Sequence, residues 1–258
     1  MIGLFDSGVG GLTVVRALMQ AAPKVDFVYL GDTARTPYGN KSPEIVKQYA
    51  IEDAGYVINQ GAKLVIVACN TASALALDEL KAKYPNVPFI GVAEPAAQEA
   101  AQKSKKSVGV IGTRATVNSG IYQSLIESLN PKLKVLQKAC PLFVPLVEEG
   151  LVSDQVTKIM IRRYLTGLRQ KNVDSLILGC THYPFLKNLI QRFMGKKVAV
   201  IDSAHAVIAK AMRDYPWAFE GTSTGQQVIS FTDTSTHLDA ISSKWLGRKV
   251  EATKAELT

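Results

Sequence analysis

Two cysteines occupy matching places in this sequence. Leu64-Val65-Ile66-Val67-Ala68-Cys69-Asn70-Thr71 and Leu176-Ile177-Leu178-Gly179-Cys180-Thr181-His182 each run from an apolar stretch through a small residue to a cysteine, then to polar residues that can cap a helix. A thiol becomes a base, nucleophile or metal ligand as its thiolate. At the C-terminal end of a parallel strand, ahead of a helix start, a thiol meets unpaired N–H groups and the positive end of the helix dipole. The pattern therefore predicts a lowered thiol pKa at both positions. Burial is the better reading for any single cysteine, because free Cys is among the most buried residue types. Two in matched strand-end contexts point to function. Cys140, in Ala139-Cys140-Pro141-Leu142-Phe143, has apolar neighbours and reads as a packing residue.

Other polar residues cluster at similar places. Asp6-Ser7-Gly8-Val9-Gly10-Gly11 follows the first apolar run. Its glycines allow a tight turn and close approach of backbone to a ligand, but neither GxGxxG nor GxxxxGK[ST] is present. The backbone N–H groups suit a small carboxylate, and Asp6 suits an ammonium group or proton traffic; helix capping by Asp6 or Ser7 is the competing reading. Gly31 to Gly39 forms a polar loop in which Tyr38 and Gly39 offer hydroxyl or backbone groups to a substrate. His182, two residues after Cys180, can tune that thiol or relay a proton. His205 and His237 have no comparable neighbours and read as structural. Glu148 and Glu149 read by default as a solvated turn, with one of them a candidate supporting acid.

These residues need a scaffold of alternating elements. Short β-rich runs are expected at Ile2–Phe5, Asp26–Leu30, Leu64–Ala68, Phe89–Val92, Ser107–Ile111, Lys134–Gln137, Ser175–Leu178, Val198–Ile201 and Val228–Phe231. Helical patterns are expected at Leu12–Ala21, Pro43–Gln60, Ala72–Lys83, Thr116–Ser128, Ser153–Arg169, Pro184–Phe193 and Ser203–Tyr215. Alternation of this kind predicts α/β architecture with parallel sheets covered by helices on both faces. Consecutive apolar residues such as Val65-Ile66-Val67 fit strands buried on both sides. In such sheets ligands bind outside the carboxyl ends of the strands, where both cysteines fall. The repeated cysteine segment suggests two related α/β halves.

The totals narrow the function classes. The chain has 258 residues, 47% of them hydrophobic and 20% charged, enough for one large domain or two ordinary ones. No apolar run approaches the roughly 18 residues of a membrane span. The N-terminus reads as a strand and not a signal peptide, so a cytoplasmic location is expected. Three cysteines make no disulfide framework, and no zinc-type spacing is present. The net charge of +8 favours anionic partners, but the positive residues read as scattered. The densest group, Lys103, Lys105 and Lys106, reads as a solvated loop.

With DSGVGG after the first strand, ACNTAS at 68–73 and GCTHYP at 179–184, the chain resembles the glutamate racemases of the cofactor-independent aspartate/glutamate racemase superfamily. LGDTARTPYGNKS at 30–42, AEPA at 93–96, CPLFVPLVEEG at 140–150 and IDSA at 201–204 extend the resemblance from Ile2 to about Tyr215. It implies two pseudo-symmetric, doubly wound α/β domains, residues 1–96 with 207–258 and residues 97–206, with the active site in the cleft between them. It implies Cys69 and Cys180 as the proton donor and acceptor pair, assisted by Asp6, Glu148 and His182. Asp6, Ser7, Tyr38, Gly39, Asn70, Thr71, Thr181 and His182 form the implied substrate-binding set. Glutamate is the implied substrate and no cofactor or metal is implied; a homodimer is the expected assembly.

A thiolate on one face of an amino acid would remove the α-hydrogen, and a thiol on the other face would return a proton. Aspartate or hydantoin racemization is the near alternative. An anion-binding or regulatory α/β protein with buried or redox-sensitive cysteines is the distant one. Interaction with nucleic acid or DNA gyrase, described for some members of the family, gains no support from any recognisable DNA-reading module.

Overall fold

The structure is a computed structural model that describes residues 1–220, 225–250 and 252–257, with the side chains of Thr236 and His237 excepted. His237 thus lies outside the described side chains. The chain runs β1 (Ile2–Asp6), α1 (Leu12–Ala21), β2 (Phe27–Gly31), α2 (Pro43–Asn59), β3 (Leu64–Val67), α3 (Asn70–Leu75), α4 (Leu77–Lys83), β4 (Phe89–Gly91) and α5 (Ala93–Lys103). It continues β5 (Ser107–Gly112), α6 (Arg114–Asn118), α7 (Ile121–Leu129), β6 (Lys134–Ala139), α8 (Phe143–Glu148), α9 (Gln155–Gln170), β7 (Ser175–Gly179), α10 (Lys187–Met194), β8 (Ala199–Asp202) and α11 (Ser203–Asp214). It ends β9 (Gln227–Phe231), α12 (Thr236–Leu246) and β10 (Thr253–Lys254).

Two parallel sheets form, ordered β10-β9-β2-β1-β3-β4 and β6-β5-β7-β8. Strand periodicity explains why both are buried. In the first sheet Ile2, Leu4, Phe27, Tyr29, Leu64 and Ile66 join a core with Leu12, Val15 and Leu18 of α1. The alternate residues Phe5, Val28, Leu30, Val65 and Val67 join another core with Val46, Ala50, Ala54 and Val57 of α2. Successive side chains of a strand point to opposite faces, so each face needs its own helical cover. The second sheet is covered likewise, by α9 and α10 on one face and by α5 and α7 on the other. The α1 face of the first sheet and the α9 face of the second share one continuous core.

All nine expected strands form, each end within two residues of its expected place. Two expected helices are split. The one over 72–83 starts earlier and breaks at Ala76, and the one over 116–128 starts at Arg114 and breaks at Gly120, which is left-handed (φ 68°). The turn after Cys180 is a 3-10 turn, Tyr183–Leu186, that leads into α10. The sequence pattern missed α5, α8, α12 and β10. The buried face of α5 is Ala93, Ala96, Ala97 and Ala100, too weakly apolar to stand out, and α8 carries Pro145 inside its pattern. The expected domain limits, 96/97 and 206/207, fall inside α5 and α11. These two helices pack side by side and carry the chain from one sheet to the other.

Candidate active site

Both sheets contain the same topological switch. From β1 the chain moves to β2 on one side and β3 lies on the other; from β5 it moves to β6, and β7 lies opposite. Crossovers that leave in opposite directions open a crevice at the strand C-termini, the usual ligand position in open α/β sheets. Asp6 closes β1, Cys69 follows β3, Thr113 follows β5 and Cys180 follows β7. The two cysteines thus stand at equivalent points of two equivalent folds.

Cys69 caps α3. Its Sγ accepts from the Ala72 N–H at 3.5 Å and faces Ser7 Oγ at 3.7 Å. The helix start is in place, yet the expected lowering of the thiol pKa does not follow. Burial and the nearby Asp6 carboxyl outweigh the N–H contacts and push Cys69 up to about 12. The short α3, six residues long, offers little dipole against complete desolvation.

Cys180 has a different neighbour. Its Sγ lies 4.0 Å from His182 Nδ1, and His182 Nε2 donates to Glu148 Oε1 at 3.0 Å. Burial works against a charged imidazole, but the hydrogen bonds to Cys180 and Glu148, with the charges on both, raise His182 to about 10. At neutral pH a cation therefore sits beside Cys180 and a proton remains on Cys69. Glu148 is the last residue of α8, while Glu149 points to solvent. The ring of Trp245, from α12, stands edge-on to the His182 ring, with centroids 5.6 Å apart.

The two walls touch closely. Thr181 Oγ1 donates to Asp6 Oδ1 at 3.3 Å, while Asp6 Oδ2 accepts from the Gly8 N–H at 3.1 Å. Burial raises the Asp6 pKa, opposed by the His182 charge and by the Gly11 and Gly8 N–H groups. Thr13 Oγ1 donates to the Thr181 carbonyl. A Cβ on Gly10 would lie 2.2 Å from Thr181 Oγ1 and 2.6 Å from His182 Nδ1; a Cβ on Gly39 would lie 2.6 Å from Thr113 Cβ. Only glycine lets these loops approach the opposite wall. Thr71, Thr113 and Thr116 place their hydroxyls 3.0–3.3 Å apart across the same gap.

One polar atom in this cleft has no hydrogen-bond partner among the described residues. Tyr122 donates to Asn70 Oδ1 at 2.7 Å, which aims the amide, but the buried Asn70 Nδ2 makes no hydrogen bond. An unsatisfied buried donor costs about 1–3 kcal/mol, and a ligand oxygen would remove that cost. Ser7, partly exposed, lies against Cys69, with its Oγ 3.7 Å from the sulfur.

Tyr38 is placed otherwise than its sequence context suggests. Its hydroxyl is buried against Asp32 and Asp53, 2.7 Å from the latter, in a network that Arg35 joins through Asp32, Glu52 and Asp53. That hydroxyl cannot reach a ligand in the cleft, so only the backbone of Tyr38 and Gly39 remains available there. Cys140 is fully buried in the core and accepts, through its carbonyl, from Tyr183. His205 is largely exposed and 3.7 Å from Asp202.

Sequence reasoning missed Tyr29, Thr113, Thr116, Tyr122 and Trp245. Tyr29 donates to the Gly8 carbonyl at 2.5 Å and braces the first loop. Thr113 had a signal, since Val110-Ile111-Gly112-Thr113 repeats the pattern of strand, small residue and polar residue seen at both cysteines. Tyr122 and Trp245 reach the site from distant helices and carry no local signal. Among the described residues no helix is long and apolar enough to cross a membrane.

A family model described as Asp/Glu/Hydantoin racemase matches residues 10–211. The chain is 49% identical over 251 residues to a glutamate racemase of Aquifex aeolicus, covering 97% of this chain and 95% of that one. It is similar to the structure of a glutamate racemase from Francisella tularensis in complex with D-glutamate, at a TM-score of 0.92 and 34% identity, covering 100% and 96% of the two chains. A glutamate racemase from Thermus thermophilus in complex with beta-chloro-D-alanine gives 0.88 and 43%, covering 99% and 96%.

Proposed function

The chain belongs to the Asp/Glu/Hydantoin racemase family, and from that premise we propose that it interconverts L- and D-glutamate, with Cys69 and Cys180 as the paired acid and base. The observation that supports this reading most is a short line of contacts joining the two equivalent strand ends across the cleft. It runs from Cys69 to Ser7, from the adjoining Asp6 to Thr181, and on to Cys180 and His182.

In one direction Cys180, beside the His182 imidazolium, acts as the base, and Cys69, whose proton burial retains, acts as the acid. Different surroundings thus assign different roles to the same functional group. The Cys180 thiolate takes the α-proton and becomes a thiol. Cys69 gives its proton to the opposite face of the α-carbon and becomes a thiolate. One negative charge has moved between the sulfurs, and the mirror-image substrate returns it. Asp6, placed between the two walls, faces the substrate ammonium and shuttles protons to Cys69. The Asn70 amide, the hydroxyls of Ser7, Thr71 and Thr181 and the backbone at Tyr38–Gly39 hold the carboxylates and the charge that develops on them. His182 and Glu148 keep charge on the Cys180 side.

Cys69 is 4% and Cys180 6% exposed, so a substrate reaches them only when the two walls part. We assign residues 1–96 with 207–258 and residues 97–206 as the moving units, and place the enzyme in the cytoplasm as a homodimer supplying D-glutamate for peptidoglycan. Analytical ultracentrifugation, cell fractionation and rescue of a depleted strain by D-glutamate test these points. The central test is incubation with L- or D-glutamate in D₂O without added cofactor. Deuterium at Cα and loss of optical rotation are expected, with aspartate and hydantoins turned over far more slowly. Glutamate unchanged in both incubations would remove the proposal.

A further inference from the structure

The positive charge of the chain is concentrated in one part of the fold. Residues 97–206 hold 16 of the 30 Lys and Arg but only 7 of the 22 Asp and Glu, a balance of +9 against −1 for the remainder. In a parallel sheet all strand starts share one end. Lys106 precedes β5, Lys134 begins β6, Lys171 precedes β7 and Lys197 precedes β8. Lysines that look scattered in the sequence therefore gather at the end of the second sheet opposite Cys180.

A cavity of about 890 Å³ opens at this end, between the C-terminal parts of α9 and α10 and the starts of β7 and β8. Arg162, Arg169, Lys196 and Lys197 line it, with Phe193 on its wall. The Arg169 guanidinium stacks 5.1 Å over the Phe193 ring, which holds it in place. No ion pair joins any of these four cations to an acid among the described residues. Asp174 is the one acid among the described lining residues. Its Oδ2 is already taken by the N–H groups of Lys105, Lys106 and Ser107 at 2.9, 2.5 and 3.0 Å.

Four like charges around one concavity repel each other, and a cleft lined with one sign of charge focuses its field on small ions. Guanidinium forks match phosphate oxygens in pairs, and lysines add point charges. Linked phosphates, each carrying between about one and two negative charges, supply dense charge in the volume available. A single glutamate would not balance this wall. We propose that the cavity binds a compact di- or triphosphate group, at a site separate from the thiol cleft.

Calorimetric titration of the full chain with sodium tripolyphosphate, in about 0.15 M salt to screen weak surface attraction, tests the site. Saturable binding of one anion per chain is expected. The pairs Arg162→Gln with Arg169→Gln and Lys196→Gln with Lys197→Gln should each weaken it by about tenfold or more, the loss of roughly one charge-assisted hydrogen bond. Lys132→Gln with Lys134→Gln removes the same charge from the same sheet end but outside the cavity, and should change affinity by less than about twofold, the remainder being screened. All these side chains are at the surface, and an unchanged melting temperature verifies folding. Absence of binding, equal weakening in all three pairs, or several anions bound per chain would overturn the proposal. So would displacement of tripolyphosphate by a DNA duplex with a steep dependence on salt, which would assign the face to a polymer.

Discussion

Replacing Glu148 by Gln removes one charge from the line behind Cys180 and keeps its shape. Glu148 Oε1 accepts from His182 Nε2 at 3.0 Å, and a hydrogen bond between charged groups contributes about 1.5–3 kcal/mol. The Glu148 side chain is 35% exposed, so solvent screening reduces the charge contribution to about 1–1.5 kcal/mol. That is roughly tenfold in the acidity of the imidazolium, or about one pH unit. His182, now raised to about 10, should lose its proton about one pH unit lower. The assay is kcat/KM for L- and D-glutamate across alkaline pH. Near pH 7 the variant should stay within about threefold of the parent, because His182 is still protonated there. Its alkaline limb should move toward neutrality by about one unit, with rates near pH 10 about fivefold lower and the loss approaching about tenfold at higher pH. A racemization has an equilibrium constant of one, so the loss must be equal in both directions, which checks the measurement. An unmoved limb, or a loss uniform across pH, would refute the electrostatic role given to Glu148.

Cys69→Ser and Cys180→Ser should each lower racemization by at least about 10³-fold while the melting temperature moves by only a few degrees; turnover by either variant near the parent rate would leave the thiols as packing residues. Gly10→Ala places a methyl 2.2 Å from Thr181 Oγ1, so the walls cannot close; kcat/KM should fall about 100-fold, measured alongside thermal unfolding. Stability should decline with alkaline pH. His182 is raised to about 10 and Cys69 to about 12 from ordinary values of 6.5 and 9.0, and a group raised in the folded state loses its stabilising contribution as pH climbs toward the folded value. Melting temperatures should therefore fall from pH 7 to 10, less steeply in Glu148→Gln; a flat profile would contradict the raised values. Tyr122→Phe frees Asn70 to rotate, since Tyr122 holds its Oδ1 at 2.7 Å, and should lower kcat/KM about tenfold through misaimed amide donors.

Both the folding pattern and the main candidate residues were legible in the sequence because they are local. A strand buried on both faces is a run such as Leu64–Val67, and the end of that run marks Cys69 without knowledge of any neighbour. The same reading marked Cys180 and Asp6 at strand ends, and His182 just beyond Cys180. What a residue does depends on what surrounds it, and three elements escaped for that reason. Local context left open whether Tyr38 offers its hydroxyl or its backbone, and Asp32 and Asp53 bury the hydroxyl. It assigned Cys69 a lowered pKa, yet burial beside Asp6 raises it. It could not reach Tyr122 or Trp245, which arrive from other helices.

The sequence by itself determined the alternation of strands and helices and the strand-end position of each cysteine, because both follow from the order of neighbouring residues. Tertiary structure alone decided which groups meet across the cleft, which sulfur has the cation, and where the lysines gather. Those depend on distances between segments remote in the chain and on how much water each group loses, and desolvation and Coulomb terms change with every ångström of that arrangement.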